Sequence, residues 1–555
     1  MPDSDLDAFL GRPPLTRGAR PLGVVVGGSL SHGLEVMLDP HTVLEGLAVG
    51  RYVVIHGQTR KRFFGMVTDL SLGATQADLA SHPPASEDAY SAEVLRGTAA
   101  YGLMHVAPML ELTAEGGEPR PIKTIPAHFA QVLEASEAEV NLVFGAEDRT
   151  HFHIGAPLEM DDVRVNLDLA RLVERSSGVF GKSGTGKSFI TRMLLAGVIR
   201  AGLASCLVFD MHNDYGWSVH DESGREYKGL RQLFSDGRVS VITLDPETSR
   251  HRQSKTDREL RISLRQIEPE DVELLAGLLG LSEIQVGALH FLRRRLGRDW
   301  IVKLLAEEES QELKQLVDEE RLMAGTLGAI QRKFELFRRL GFLQEDPLGE
   351  DAVEEIFARL NQGTSVVLEF GTYGNQLEAY LLVANYLTRQ IHRRYVERKN
   401  RAAGGQAQEP RPLVIVIEEA HKFLDPSVAG HTIFGTIARE LRKYNVTLLV
   451  VDQRPSGIDE EVMSQIGTRV TCLLDNEADI RAVFSGVSGA GALREVLARL
   501  DTRQQALILG HAVPMPVVVQ TREYGEALYA ELTGAVDESD RRARRERTRK
   551  ALYGE

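Results

Sequence analysis

The segment Ser177–Gly181 reads as a short strand that runs directly into a glycine-rich octapeptide, Gly181-Lys-Ser-Gly-Thr-Gly-Lys-Ser188. Ser188–Ala201 then reads as a helix. Every position matches G-x4-G-K-[ST], and few other features constrain a fold as tightly. Glycines let the backbone curl so that successive N–H groups point inward at phosphate oxygens. The helix that follows presents its positive end to the same anion. The expected phosphate cradle is Gly181, Ser183, Gly184, Thr185 and Gly186. Lys187 is expected to reach the β- and γ-phosphates of ATP, and the Ser188 hydroxyl to ligate Mg2+.

A phosphate cradle binds nucleotide; hydrolysis needs acids as well. Leu413–Ile417 is a run of apolar residues of buried-strand length, and Glu418 and Glu419 stand at its C-terminal end. Catalytic groups of open α/β sheets gather at that edge. By position Glu418 is the metal-side acid and Glu419 the base that orients and polarises the attacking water. A second apolar strand, Val446–Val451, ends in Asp452-Gln453, and Gln453 is the candidate sensor of the γ-phosphate. Ile437–Lys443 reads as a helix with Arg439 and Arg442 on one face. Either arginine suits action in trans on a neighbour's ATP, or a surface salt bridge. Asp210, at the end of the strand Ala204–Asp210, is expected at the nucleotide site. No ligand cluster elsewhere supports a separate metal site around His212 and Asp214.

The fold expected from these pieces is α/β: a RecA-like core with a mostly parallel sheet, because strands alternate with helical patterns. Further strands read at Val239–Leu244 and Ser365–Phe370, and Gln376–Arg398 reads as the longest helix. Residues 255–345 lack strand alternation and read as a helical insertion. Residues 1–155 are β-rich. Pro21–Gly27, Gly50–His56, Arg62–Asp69 and Val140–Gly145 are strand-like pieces that suggest a small barrel for assembly or partner docking. Gln76–Ala92 reads as a long loop. The core is therefore expected over 156–254 and 346–530, followed by a tail, 531–555. Arg541–Lys550 carries seven basic residues and one acidic residue, which suits a solvated helix or a nucleic-acid contact.

The net charge of −14 argues against nucleic acid coating the outer surface, but not against positive charge confined to the wall of a pore. The only cysteines are Cys206 and Cys472, which argues against a disulfide framework. No apolar run approaches the roughly 18 residues of a membrane span, and Met1–Leu10 lacks the blocks of a signal peptide. A cytoplasmic protein is the expectation.

With the motifs in order, the sequence resembles the HerA family of DNA translocases, within the FtsK–HerA group. The resemblance is carried by GKSGTGKS at 181–188, FDMHNDYG at 209–216, VIVIEEAH at 414–421, IARELRKYNVTLLVVDQRP at 437–455 and EVMSQIGTRV at 461–470. It implies a small N-terminal HAS barrel, a homohexameric ring, ATP and Mg2+ as cofactors, and movement along double-stranded DNA threaded through a central pore. It also implies a NurA-like nuclease partner in DNA end resection. The family's arginine finger would fall on Arg442, with Arg439 as its alternative. Leu441 stands where a Gly is usual, Asp452 where a Ser is usual, and Ser177 near where a His often precedes the strand. Pore candidates are the loops at Gly371–Gln376 and Lys422–Gly435. Two other functions fit an ATPase of this kind: a DNA pump for conjugation or segregation, and a component of an anti-phage assembly.

Overall fold

The computed structural model describes residues 21–59, 61–75, 84, 89–113, 117–158, 160, 163–221, 223–306, 310–319, 321–346, 351–430, 432–440, 443–487, 490–501 and 504–534. They form two compact units. One comprises residues up to 169 with 181–186 and 468–522; the other comprises 170–180, 187–467 and the residues from 523 onward.

The first unit begins with a closed antiparallel barrel. Its strands follow the order Gly33–Leu38, Pro21–Ser29, Gln131–Glu134, Tyr52–His56, Arg62–Ala74 and Ala100–Leu112, and Gly33–Leu38 pairs back onto Ala100–Leu112. Closure removes the exposed edges that an open sheet of these strands would leave. Val36, Val53, Ile55, Val67, Met104, Val106 and Val132 fill the interior. Two expected elements differ. Val140–Gly145 is not a strand: Glu137–Phe144 is a helix. Ser136 and Glu139 form a reciprocal capping box at its start, and Val140, Val143 and Phe144 are buried at helical spacing. The expected loop 76–92 ends early, because a helix starts at Ala89. Its other residues, except Pro84, lie outside the described residues.

The rest of this unit is an antiparallel ladder, Thr468–Thr471, Gln505–Gly510, Val517–Thr521, His151–Pro157 and Val165–Asp168. Residues 468–522 were expected inside the core spanning 346–530. Their ladder instead joins them to strands that lie just after the barrel.

The second unit holds a parallel sheet in the order Arg258–Glu259, Val239–Thr243, Ser365–Glu369, Ser205–Asp210, Leu413–Glu418, Val446–Asp452, Ser177–Phe180. Every residue of Leu413–Glu418 and Val446–Asp452 is buried, which requires cover on both sheet faces. This is the expected RecA-like α/β arrangement. One strand separates the strand that feeds the phosphate loop from the strand that ends in Glu418. Most of residues 264–339 are helical, as expected, but short strands at Arg258–Glu259 and Ile262–Ser263 open the insertion. Among the described residues no helix is long and apolar enough to cross a membrane.

The insertion is fixed to the core by an ion pair whose acid is fully buried and whose arginine is partly exposed. Asp271, on the helix Pro269–Glu273, accepts from Arg389 Nε at 3.0 Å and from Asn385 Nδ2 at 3.2 Å, both on the long helix Leu377–Ala403. Trp300 packs edge-on against Phe334 and donates from Nε1 to the Ile267 carbonyl. Removing one member of a buried pair strands the other charge. Arg389 keeps some access to water, so Asp271→Ala should destabilise the protein by about 1–3 kcal/mol, less than for a fully buried pair, seen as a lower urea midpoint. An unchanged midpoint would show that the pair does not anchor the insertion.

Candidate functional site: the nucleotide edge of the parallel sheet

Phe180 lies opposite Asp452 in register, and from Phe180 the chain enters the loop 181–186. Gly181, Gly184 and Gly186 have φ of +151°, +79° and +95°. These are values that L side chains rarely adopt, so the glycines are a backbone requirement. A Cβ on Gly181 would lie 2.7 Å from Cys472 Cβ. Thr185 is buried, and its hydroxyl donates to the Lys182 carbonyl at 2.8 Å, which closes the turn. Ser183 and Gly184 are exposed. Lys182 pairs with Asp475 at 2.5 Å, and its N–H donates to the Leu473 carbonyl. Lys187 and Ser188 open the helix Lys187–Ala201, in the position from which a helix N-terminus meets an anion.

At the same edge the sheet collects acids. Asp210 pairs with Glu369 across neighbouring strands, and Glu418 pairs with Val451, one residue before Asp452. Glu418 is buried, and burial first, then Asp210, pushes its carboxyl up to about 8. Its Oε1 accepts from the Tyr215 hydroxyl at 2.8 Å, while Oε2 is buried with no hydrogen-bond partner. The Tyr380 hydroxyl accepts from the Glu418 N–H at 3.1 Å and donates to its carbonyl at 3.0 Å. An unpartnered buried carboxylate oxygen in an acidic setting fits a hard cation such as Mg2+. Among the described residues, no group of three or more His, Cys, Asp or Glu is placed to hold a metal by itself. Mg2+ characteristically keeps waters and substrate phosphates as its other ligands.

Glu419 has φ +49°, a left-handed conformation uncommon outside glycine and typical of strained functional positions. Its Oε1 accepts from Gln453 Nε2 at 3.1 Å, so the expected base and the expected sensor touch. Asp452 is fully buried. It accepts from the His421 N–H at 2.6 Å and from the Arg454 N–H at 2.6 Å, and lies 2.9 Å from His421 Nδ1.

Asp210 was expected to face the nucleotide. It is fully buried, and its two oxygens accept from the N–H groups of Asp214 at 2.6 Å, Tyr215 at 2.8 Å and Gly216 at 3.2 Å. Burial pushes it up to about 6. Arg439 is paired within the chain, to Glu461 at 3.0 Å and Asp459 at 3.6 Å. Arg442 lies outside the described residues, as do Leu441 and the basic stretch Arg541–Lys550.

Glu369, Tyr215, Tyr380 and His421 also stand at this edge, and apart from Glu369 their sequence positions alone do not point to it. For Glu369 a signal existed: it nearly ends the apolar run Ser365–Phe370, as Glu418 ends its own. Glu369 is buried, and burial and Asp210 push it up to about 8, against a smaller opposing effect of Arg252.

The folded chain holds the Glu369 proton up to pH about 8, whereas the unfolded chain loses it near the ordinary 4.5. The folded state is thus favoured fully below that ordinary value, and the advantage disappears as pH rises through about 8. Glu369→Gln should flatten this fall in the nucleotide-free protein and gain on the order of 1 kcal/mol or more over the parent at high pH. Parallel melting profiles for the two proteins across that range would refute the effect.

Two segments of the chain match known protein families. Residues 152–391 match the family described as helicase HerA, central domain, and residues 22–115 match the HAS barrel domain. The DNA double-strand break repair helicase HerA of Pyrococcus furiosus is 24% identical over 438 residues, 74% of this chain and 76% of that protein. The same-named protein of Sulfolobus acidocaldarius is 24% identical over 408 residues, 72% of this chain and 74% of that one. Among solved structures, VirB4 of Thermoanaerobacter pseudethanolicus aligns at 14% identity and a TM-score of 0.44, covering 68% of this chain and 98% of that one. The barrel, the phosphate loop and the acidic edge occur in this order in a chain whose matched segments both resemble the HerA helicases, and the chain is an ATP-hydrolysing helicase or translocase of the HerA type.

Proposed function

We propose that the chain is the motor subunit of a homohexameric ring that uses Mg2+ and ATP to move along double-stranded DNA, in the cytoplasm, with a NurA-like nuclease in the resection of broken ends. The observation that carries the enzymatic part is the acidic edge beside the phosphate-loop strand. One buried carboxylate there has a free oxygen, and its neighbour, on a strained backbone, touches a polar amide. The printed names of the relatives, DNA double-strand break repair helicases, support the choice of substrate and setting.

In this reading the loop N–H groups and Lys187 hold the β- and γ-phosphates and offset their charge. Glu418 and Ser188 hold Mg2+, which when bound supplies charge neutralisation at the phosphates. Glu419 accepts hydrogen bonds from the attacking water and polarises it. Gln453 reports the γ-phosphate by exchanging its contact with Glu419 for one to the nucleotide. Arg442 or Arg439 acts on a neighbour's ATP; for Arg439 this requires release from Glu461 and Asp459. A ring of chains with a net charge of −14 each keeps its positive charge on the inner wall. The loops at Gly371–Gln376 and Lys422–Gly435 are the pore candidates.

Lys187→Ala should abolish ATP binding, because the phosphate charge goes unmatched. Glu419→Gln should retain ATP binding and lose turnover by about 10²–10⁴-fold. Filter binding and steady-state phosphate release distinguish the two, and parental turnover in Glu419→Gln would remove Glu419 from the role of base. Double-stranded DNA should stimulate hydrolysis, and the stimulation should fade between about 50 and about 200 mM salt as phosphate contacts are screened. Hydrolysis indifferent to DNA at every salt concentration would sink the translocase reading.

A further inference from the structure

Tyr215 raises a chemical question that packing does not answer. It is fully buried, and its hydroxyl donates to one acceptor, Glu418 Oε1, at 2.8 Å. A buried hydroxyl is unfavourable unless paired, and phenylalanine would fill the same space without that requirement. The hydroxyl is therefore explained by its partner. Glutamate's terminal torsion is broad and soft, so an unheld carboxylate turns easily. A hydrogen bond to Oε1 fixes that torsion and with it the direction of Oε2, which is buried and without a hydrogen-bond partner.

The phenol is in turn held from two sides. Asp210 accepts the N–H groups of residues 214, 215 and 216, which pins the backbone under the ring. The Arg192 guanidinium lies 5.9 Å from the ring centre, within cation–π range. Arg192 belongs to the helix that begins at Lys187, is buried, and also faces the rings of Phe189 and Tyr524. Its Nε and Nη1 have no hydrogen-bond partner, so the aromatic faces are its main neighbours. A line of contacts thus runs from the phosphate-loop helix through Arg192 and Tyr215 to Glu418.

We propose that Tyr215 is the positioning residue of the metal-side carboxylate. Its hydroxyl orients Glu418 toward the Mg2+ that accompanies ATP, and Asp210 acts through Tyr215 rather than on the nucleotide. This rests on the assignment of Glu418 to the metal. Partners that orient metal ligands typically contribute about 10- to 100-fold to metal affinity. Tyr215→Phe keeps the ring and its stacking and removes only the hydroxyl.

The test uses the full chain loaded with a non-hydrolysable ATP analogue and Mn2+ as a paramagnetic substitute for Mg2+, with free Mn2+ counted by electron paramagnetic resonance. Tyr215→Phe should lower Mn2+ affinity about 10- to 100-fold and leave analogue affinity in EDTA within about twofold of the parent. The Mg2+ concentration for half-maximal ATP hydrolysis should rise by a similar factor. Added to Glu418→Gln, the Tyr215→Phe change should weaken Mn2+ no further, because the hydroxyl acts through that carboxylate. Parental Mn2+ affinity in Tyr215→Phe overturns the proposal. So does a variant that fails to fold or that loses analogue binding equally in EDTA, since the hydroxyl would then serve the fold. If Glu418→Gln itself keeps parental Mn2+ affinity, the metal assignment of Glu418 fails first and takes the proposal with it. If Glu418→Gln loses Mn2+ and Tyr215→Phe does not, the proposal on Tyr215 alone falls.

Discussion

Glu418 is a carboxylate at the end of a buried strand, with one oxygen held by a tyrosine and the other held by nothing. Much of the nucleotide edge is organised around that imbalance. Beside it stand Asp210 and, one strand further, Glu369; burial raises all three carboxyls, with Asp210 adding to the shift of Glu418 and Glu369, and Asp214 to that of Asp210. Such an edge is unfavourable when fully charged and empty. In the proposed function a bound cation would relieve it, so metal and nucleotide binding would also relieve that repulsion in the ligand-free fold. A site built this way couples occupancy to stability, which suits a motor that cycles between loaded and empty states.

The surrounding structure holds the acids in place despite their repulsion. Three backbone N–H groups converge on Asp210, the Tyr380 hydroxyl brackets the Glu418 peptide group, and Asp452 is bonded to His421 and the Arg454 N–H. Glu419 sits one residue past the strand in a left-handed conformation, so consecutive glutamates leave the sheet edge differently. This division gives two adjacent carboxylates separate surroundings. Glu418 meets tyrosines and burial, whereas Glu419 is partly exposed and meets an amide and an imidazole edge. In the proposed function, environment rather than residue type separates the metal-side acid from the base.

Much of the fold was legible because its signals are local. The apolar runs Leu413–Ile417 and Val446–Val451 are strands, and Gly181, Gly184 and Gly186 take the positive φ values their spacing implies. The barrel strands at Pro21, Tyr52 and Arg62 were visible as short β-branched and aromatic runs between turns. The apolar run Val140–Gly145 is ambiguous in sequence because Val140, Val143 and Phe144 suit either a strand or a helix over so short a run. The capping box of Ser136 and Glu139 decided for the helix. The grouping of residues 468–522 is not legible either, because antiparallel pairing with residues 151–168 joins segments about 360 positions apart.

The sequence by itself determined that this chain binds a nucleotide phosphate chain and places acids at the ends of its parallel strands. Both follow from short-range requirements: glycine where φ is positive, a lysine and a hydroxyl at the start of a helix, and charge where an apolar strand stops. Only the tertiary structure decided what each acid meets. Asp210 and Glu418 look alike in sequence, as strand-terminal carboxylates. One is saturated by the backbone of its own loop. The other meets a hydroxyl 203 residues away and keeps an oxygen free. A carboxylate's role depends on the donors that reach it, and those donors are assembled by folding.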